Sequence, residues 1–360
     1  NPTLKPSPLR AGRPPLPGGP PAFLGNGGCH MGKGRYLLKR LIYIVFVFFI
    51  ISILMFFIYK AMPGDPVTMM LGDAKNNMRP DDYLELYNRT RAQLGLDKPL
   101  VVQYLIWIGN MLTGDFGYST QYKQQVIQVI GAPMMNTLML NALSMVVVFV
   151  IAIPLGIATA VHKNTFFDKF VQVITIVGYS LPSFIIALLF IFAFAVKIPI
   201  FPISGIRSPG FTGTGTAYVL DTLWHMALPV IVMAISGIGS ITRYVRAEMI
   251  DVLRMDYIKT ARAKGLREKT VIYVHAFRNA LIPIVTIATA WVVSLFGGSI
   301  VIENVFLYPG LGQMLINGLM QRDFSVVLTM QMFYVVLSLA GNVIMDIAYT
   351  IVDPRVRLEN

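Results

Sequence analysis

Few residues in this chain of 360 could carry reactive chemistry. Its one cysteine, Cys29, has no second thiol to pair with, so neither an internal disulfide nor a dithiol couple can form. With only four histidines beside it, the chain falls short of the ligand clusters that hold structural zinc. No stretch follows the GxxxxGK-Ser/Thr pattern whose backbone amides cradle phosphates. "MGKGRY" from Met31 is too short and precedes an apolar run instead of following a strand. The reading is therefore of a chain with no catalytic residues, no metal, no cofactor of its own and no ATPase site. What remains is one dense cluster of charge, "DYIKTARAKGLREKTVIYVHAFRNALIP", Asp256 to Pro283. Its chemistry is that of docking.

Within that cluster Asp256 is expected to act as an N-cap, since a short carboxylate accepts bonds from the exposed N–H groups of the next turn. Gly265 is expected just past the helix end, where it can take the left-handed conformation. Tyr257 to Lys264 between them make a helix of about 12 Å. Ala261, Ala263 and Gly265 leave room for another protein's wall, and Lys259, Arg262, Lys264 and Arg267 supply cations for an acidic rim. On composition alone the segment fits equally well a basic loop lying on anionic lipid. The ordered sequence of cap, small residues, glycine, basic run and return to a Pro-containing apolar stretch favours a helix that fits a partner's groove; Thr260 completes it.

The elements that must position this helix are apolar. Hydrophobic residues make up 55% of the chain and charged residues only 13%, against about a quarter charged in soluble domains. The chain reads as all-α and polytopic. Leu41 to Tyr59 and five further stretches, near 135–161, 169–197, 223–245, 277–302 and 326–352, are each long enough, at about 20 residues or more, to cross a bilayer, giving six transmembrane helices. Residues 1–30, rich in Pro and Gly, read as a disordered leader with Met31 as the natural start. A cleaved signal peptide does not fit: the first apolar run, within 31–60, is too long and has no small-residue cleavage site after it. Residues 61–131 read as an extracytoplasmic subdomain. There "MPGDP" stops the first span, "RPDDYLELYNRTRAQLGL" forms a helix ended by Gly95, and "PLVVQYLIWIGNML" a second. Residues 132–353 form the core of five helices, with the basic loop at 246–276 and a tail at 354–360.

Basic residues flank alternate loops. Lys33, Arg35, Lys39 and Arg40, the turn with His162, Lys163 and Lys169, the segment 243–275, and Arg355 and Arg357 lie on one side, whereas 61–131 carries six Lys/Arg against seven Asp/Glu. The positive-inside rule then puts both termini in the cytoplasm. It also accounts for the net charge of +12 without nucleic acid as a partner; lipid surrounds the chain instead.

Polar groups inside the spans are mild: Asn136, Asn141, Ser144, Thr175, Ser180, Ser183, Ser294 and Ser338 among them. They serve either as hydrogen-bonding glue between helices or as the lining of a neutral path, for which Ser180, Ser183, Ser294, Gly297 and Gly298 are the candidates. Asp346 is the one acid placed inside a span. Its position two turns before "DPRVR" favours a structural role over an ion-coupling one. Pro154, Pro182, Pro229 and Pro283 read as kinks and not as gates.

The segment from Asp256 resembles the EAA loop of ABC importer membrane subunits. Lys259, Thr260 and Ala261 stand where that loop usually reads Glu-Ala-Ala, with only the last matching, and Gly265 matches its glycine after a three-residue gap. His275, Phe277 and Arg278 replace the Ile, Leu and Pro of many importers. Those departures are similar to the dipeptide, oligopeptide and nickel permease branch, as are "PGDP", "LGLDKPL", "GDFGYS" at Gly114, "GYSLPSF" at Gly178 and "ENVFLYPGLGQML" at Glu303. The resemblance spans residues 31 to 360 and is strongest to the first of the two permease subunits.

It implies the transmembrane domain of a type I ABC importer in the bacterial cytoplasmic membrane. A second permease subunit would complete a heterodimer, two cytoplasmic ATP-binding subunits would bind ATP and Mg, and an extracytoplasmic peptide-binding protein would deliver cargo. Asp256 to Gly265 would be the coupling helix seated in an ATPase groove. Peptides are the implied cargo, with a nickel chelate or other small solute as the alternative. An ion-coupled secondary transporter fits less well, because it needs acids or broken helices near the midplane. A membrane-embedded enzyme would need a His, Asp, Glu or Cys constellation that the spans lack.

Overall fold

A computed structural model describes residues 33–61, 64–72 and 74–352, with the side chains of 33–37, 293 and 346–352 outside that description. The expected leader and tail, and the surroundings of Asp346, lie outside the described residues.

Helix α1 (Lys33–Ala61) carries the first apolar run. Asp65 then accepts hydrogen bonds from the Val67 and Thr68 amides at 3.4 and 3.3 Å, and so starts α2 (Pro66–Leu71). After α3 (Ala74–Asn77), α4 (Pro80–Gln93) starts with proline in its first turn and stops before Gly95, whose φ of 65° is the left-handed conformation expected there. Helix α5 (Leu100–Leu112) follows, and the two-residue strands β1 (Tyr118–Ser119) and β2 (Gln124–Gln125) pair antiparallel. The sequence boundary at 132 is corrected here: α6 runs unbroken from Val126 to Val161, because Pro133 and Pro154 are accommodated within it.

The apolar stretch 169–197 is not one span. It folds as α7 (Phe166–Ser180) and α8 (Ser183–Ile191), the latter continuing as a π-helical turn to Lys197, and the two halves meet at 99°. Leu181 and Pro182 are both extended, and Pro182 has no N–H to offer the preceding turn. Pro182 therefore breaks a helix where a kink was expected. By contrast Pro229 sits inside α9 (Thr216–Leu253), a single helix of 38 residues that outruns the expected 223–245 at both ends. Helix α10 (Asp256–Ala263) follows. The next span is built from α11 (Glu268–Thr270), a π-helical segment (Val271–Phe277) and α12 (Arg278–Ser294). It ends near Ser294 and not at 302, because Gly297 and Gly298 interrupt the run. Helices α13 (Ile300–Val305), α14 (Leu311–Met320) and α15 (Phe324–Val352) complete the chain. Five of these helices are long and apolar enough to cross a membrane, and the bent α7–α8 pair makes a sixth crossing if counted as one.

Close backbone contact, not bulk, packs the centre. A Cβ on Gly156 of α6 would lie 2.9 Å from the Thr242 carbonyl of α9, and one on Gly239 of α9 would lie 2.6 Å from the Thr175 carbonyl of α7. Small residues at such crossings are how helices associate where lipid supplies no hydrophobic drive. Around them Val148, Ile241, Val245, Ile258, Val271 and Ile284 form a buried cluster joining α6, α9, α10 and α12. A second cluster joins α6, α8, α9 and α13 through Leu140, Ile186, Met226 and Ile302. A third, with Val126, Leu311, Met314 and Met330, joins α6, α14 and α15.

Candidate docking helix and translocation path

Helix α10 is attached by one face and free on the other. Ile258 is fully buried and Ala261 is 8% exposed, both within the cluster that holds α6, α9 and the π-helical segment together. Ala261 thus faces the protein's own core, which corrects its reading as clearance for a partner. Tyr257, Lys259, Thr260, Ala263 and Lys264 are exposed. Asp256 does not cap the helix. It is the first helical residue, Met255 occupies the cap position without a side-chain bond, and the Asp256 carboxylate accepts from Lys259 Nζ at 2.8 Å. That lysine holds the Asp256 carboxyl below its ordinary range. Gly265 has φ of 76°, as its place past the helix end requires, and an added Cβ would meet nothing within 4 Å.

Of the four cations expected at an acidic rim, two are engaged within the chain. Lys259 holds Asp256, and Arg262 holds Glu268 through Nη2 at 2.6 Å and Nε at 3.2 Å. Lys264 and Arg267 have no ion pair among the described residues.

The attachment of α10 continues through α9 to a buried ion pair missed by sequence reasoning. Arg246 donates to Asp168 at the start of α7 through Nε at 2.7 Å and Nη2 at 2.8 Å. The Asn164 amide at 2.8 Å and Gln172 Nε2 at 2.9 Å complete four donors on one carboxylate. The available signal was one acid, Asp168, in the otherwise basic turn of His162, Lys163 and Lys169.

The five path candidates fall into two places. Ser294, Gly297 and Gly298 line a cavity of about 490 Å³ between α12 and α15, together with Gln331, Tyr334 and Ser338. Among the described residues no charged side chain lines it. Gly297 is exposed, whereas a Cβ on Gly298 would lie 2.6 Å from the Gly312 amide, so Gly298 serves close packing against α14. Ser180 and Ser183 are elsewhere, flanking the α7–α8 break, the first exposed and the second half-buried. Asn136 and Asn141 act as glue. Their amides donate to the Pro309 carbonyl at 2.8 Å and to the Leu295 and Gly297 carbonyls at 2.7 and 3.1 Å.

Glu303, inside the quoted "ENVFLYPGLGQML", organises the turn beyond the cavity. Its buried carboxylate accepts from Thr137 Oγ1 at 2.9 Å and from the amides of Gly312 at 2.6 Å, Gln313 at 3.2 Å and Ser299 at 3.2 Å. Burial pushes this carboxyl up, against the pull of those hydrogen bonds. Among the described residues no group of three His, Cys, Asp or Glu is placed to hold a metal ion.

Fold and site together define a polytopic helical membrane protein that displays a short charged helix at one end and an uncharged cavity between α12 and α15. Residues 152–358 match the family described as the binding-protein-dependent transport system inner membrane component, and residues 34–141 match its N-terminal companion. The chain belongs to this family of membrane permease subunits. It is 37% identical over 323 residues to the oligopeptide transport system permease protein AppB of Bacillus subtilis, covering 89% of this chain and 98% of that one. It is 36% identical to a putative peptide permease of Brucella suis and 35% identical to the dipeptide permease DppB of Lactococcus lactis, each over 90% of this chain and 99% of the relative. Inward-facing MetNI methionine ABC transporter covers 62% of this chain and 97% of its own at 19% identity, with a TM-score of 0.47.

Proposed function

We propose that this chain is the membrane subunit of an ATP-driven importer of oligopeptides or dipeptides. The observation that carries the reading is the division of α10 into a face anchored on the core by Ile258 and Ala261 and a face left free. Its relatives named above are peptide permeases, and the neutral walls near Ser294 suit cargo of varied side chains, since fixed charge would select among them. Lys264 and Arg267, without an ion pair among the described residues, offer cations to an acidic groove.

In this reading a second permease subunit pairs with the chain, two cytoplasmic ATP-binding subunits hold ATP and Mg, and an extracytoplasmic peptide-binding protein delivers cargo. Both termini lie in the cytoplasm, and residues Asp256 to Gly265 are the coupling helix. The chain itself hydrolyses nothing. ATP-driven closure of the ATPases acts on α10, and through the buried cluster on α9 and α12, because a ligand shifts a conformation only through interactions that differ between the two states.

The test is co-purification through a tag on this chain, expressed with its neighbouring genes, followed by ATP hydrolysis with and without Gly265→Arg. Two ATPases that accompany the unaltered chain and are lost or idle with the variant support the reading. A chain that purifies alone and moves peptide in vesicles without ATP overturns it.

A further inference from the structure

The corner between α7 and α8 is a break in a span with exposed backbone. Tyr179, Ser180, Leu181 and Pro182 are all exposed in the chain, and Leu181 and Pro182 are not helical. Non-helical backbone is not stable against lipid, so this corner faces water or protein. One cation reaches it. The Arg243 guanidinium of α9 lies 5.6 Å from the centre of the Tyr179 ring.

The register of the two helices makes that contact informative. Arg246 pairs with Asp168, Gly239 lies on Thr175, and Gly178 lies on Ile235, so α7 and α9 run antiparallel and Arg243 starts about level with residue 171. It meets a ring anchored eight residues, about 12 Å, further along α7, and because each side chain leans toward its own N-terminus the two converge between those levels. Helix side chains lean toward their own N-terminus, which directs Arg243 away from the basic end of α9 and toward the break. Arg246, one turn away, is held by a carboxylate. Arg243 is exposed and makes no hydrogen bond or ion pair among the described residues. Arg243 starts one turn inside the edge marked by Arg246 but is directed inward, away from that edge, and a guanidinium so directed requires an anion or a water-filled path.

Resting on the peptide-import reading, we propose that Arg243, held over Tyr179 beside the α7–α8 break, binds the terminal carboxylate of a peptide as it crosses. A planar guanidinium takes a carboxylate through two parallel N–H bonds. Every unmodified peptide ends in that group whatever its side chains, so one fixed cation is compatible with varied cargo. Ser180 and Ser183 make no hydrogen bond through their side chains among the described residues and lie free on the same corner.

The experiment measures equilibrium binding of labelled trialanine and of its C-terminal amide to the purified complex of permease and ATPase subunits, without the binding protein. The unaltered complex should prefer the free acid by about tenfold, the effect of one lost charge-assisted contact. Arg243→Gln should abolish that preference. Tyr179→Glu, which sets a carboxylate beside Arg243, should abolish it too and serves if Arg243→Gln does not assemble. Equal binding of acid and amide by the unaltered complex, a preference that survives both variants, or no peptide binding at all in a complex that imports trialanine would each overturn the proposal. A complex that imports no peptide would instead overturn the peptide-import reading beneath it.

Discussion

Asp168 and Arg246 offer the sharpest test of how α10 is held. Their side chains are 1% and 18% exposed, and Asp168 gathers four donors. Asp168→Leu removes the anion and leaves the guanidinium without compensation, which costs about 3–5 kcal/mol for a buried pair. The double variant Asp168→Leu with Arg246→Met leaves neither charge behind and should fall within about 1–2 kcal/mol of the original, since apolar replacement of a whole buried pair is often neutral. The coupling between the two positions should therefore be about 2 kcal/mol or more. Midpoints of denaturant unfolding of the purified complex would measure stability, and ATP consumed per peptide imported would measure coupling. Because Arg254 and Met255 alone separate α9 from α10, loosening α9 on α7 should also raise the ATP cost per peptide. If Asp168→Leu and the double variant unfold at the same midpoint, the pair is not a unit and the reasoning fails.

Gly265→Ala meets no neighbour, so its effect is backbone strain alone at φ of 76°, about 1–2 kcal/mol, read as a lower unfolding midpoint. Gly239→Leu, against the Thr175 carbonyl, should destabilise by about 1–3 kcal/mol and lower the thermal midpoint, whereas the same change at exposed Gly109 should not. Glu303→Gln turns an acceptor oxygen into a donor facing backbone amides, and should cost about 1–3 kcal/mol in the same assay, with Glu303→Ala no better. Glu268→Ala releases an exposed Arg262 and should move the midpoint by less than about 1 kcal/mol.

The spans were legible because apolar length is a direct physical requirement of the bilayer, and α10 because Gly265 marks its end. The breaks were not, because proline is common inside membrane helices and only its surroundings decide the outcome. Pro154 and Pro229 stay inside α6 and α9, while Pro182 follows an extended Leu181 and ends α7. Apolar composition likewise ran past Ser294 to residue 302, where Gly297 and Gly298 turn the chain. Ala261 read as clearance because its size is visible in sequence and its direction is not; only its spacing of three from Ile258 hinted at a shared inward face. Beside partners four residues away, Glu303 reaches Thr137 across 166 residues and Asp168 reaches Arg246 across 78, distances that periodicity does not report.

The length of α9 has a consequence for what α10 can touch. From Trp224, an aromatic residue suited to one membrane interface, to Arg246, suited to the other, is about 33 Å along the helix, close to the about 30 Å of a bilayer's hydrocarbon. Seven further residues carry α9 to Leu253, about 10 Å beyond that edge. The headgroup layer is only about 5–7 Å deep, and a tilt of about 20° shortens the reach by less than a tenth. The helix thus works as a mast. It carries the start of α10 about 3–4 Å past the headgroups, within the roughly 8–10 Å over which lipid charge is felt, so Lys264 and Arg267 meet both the proteins in the surrounding water and the field of the lipids beneath.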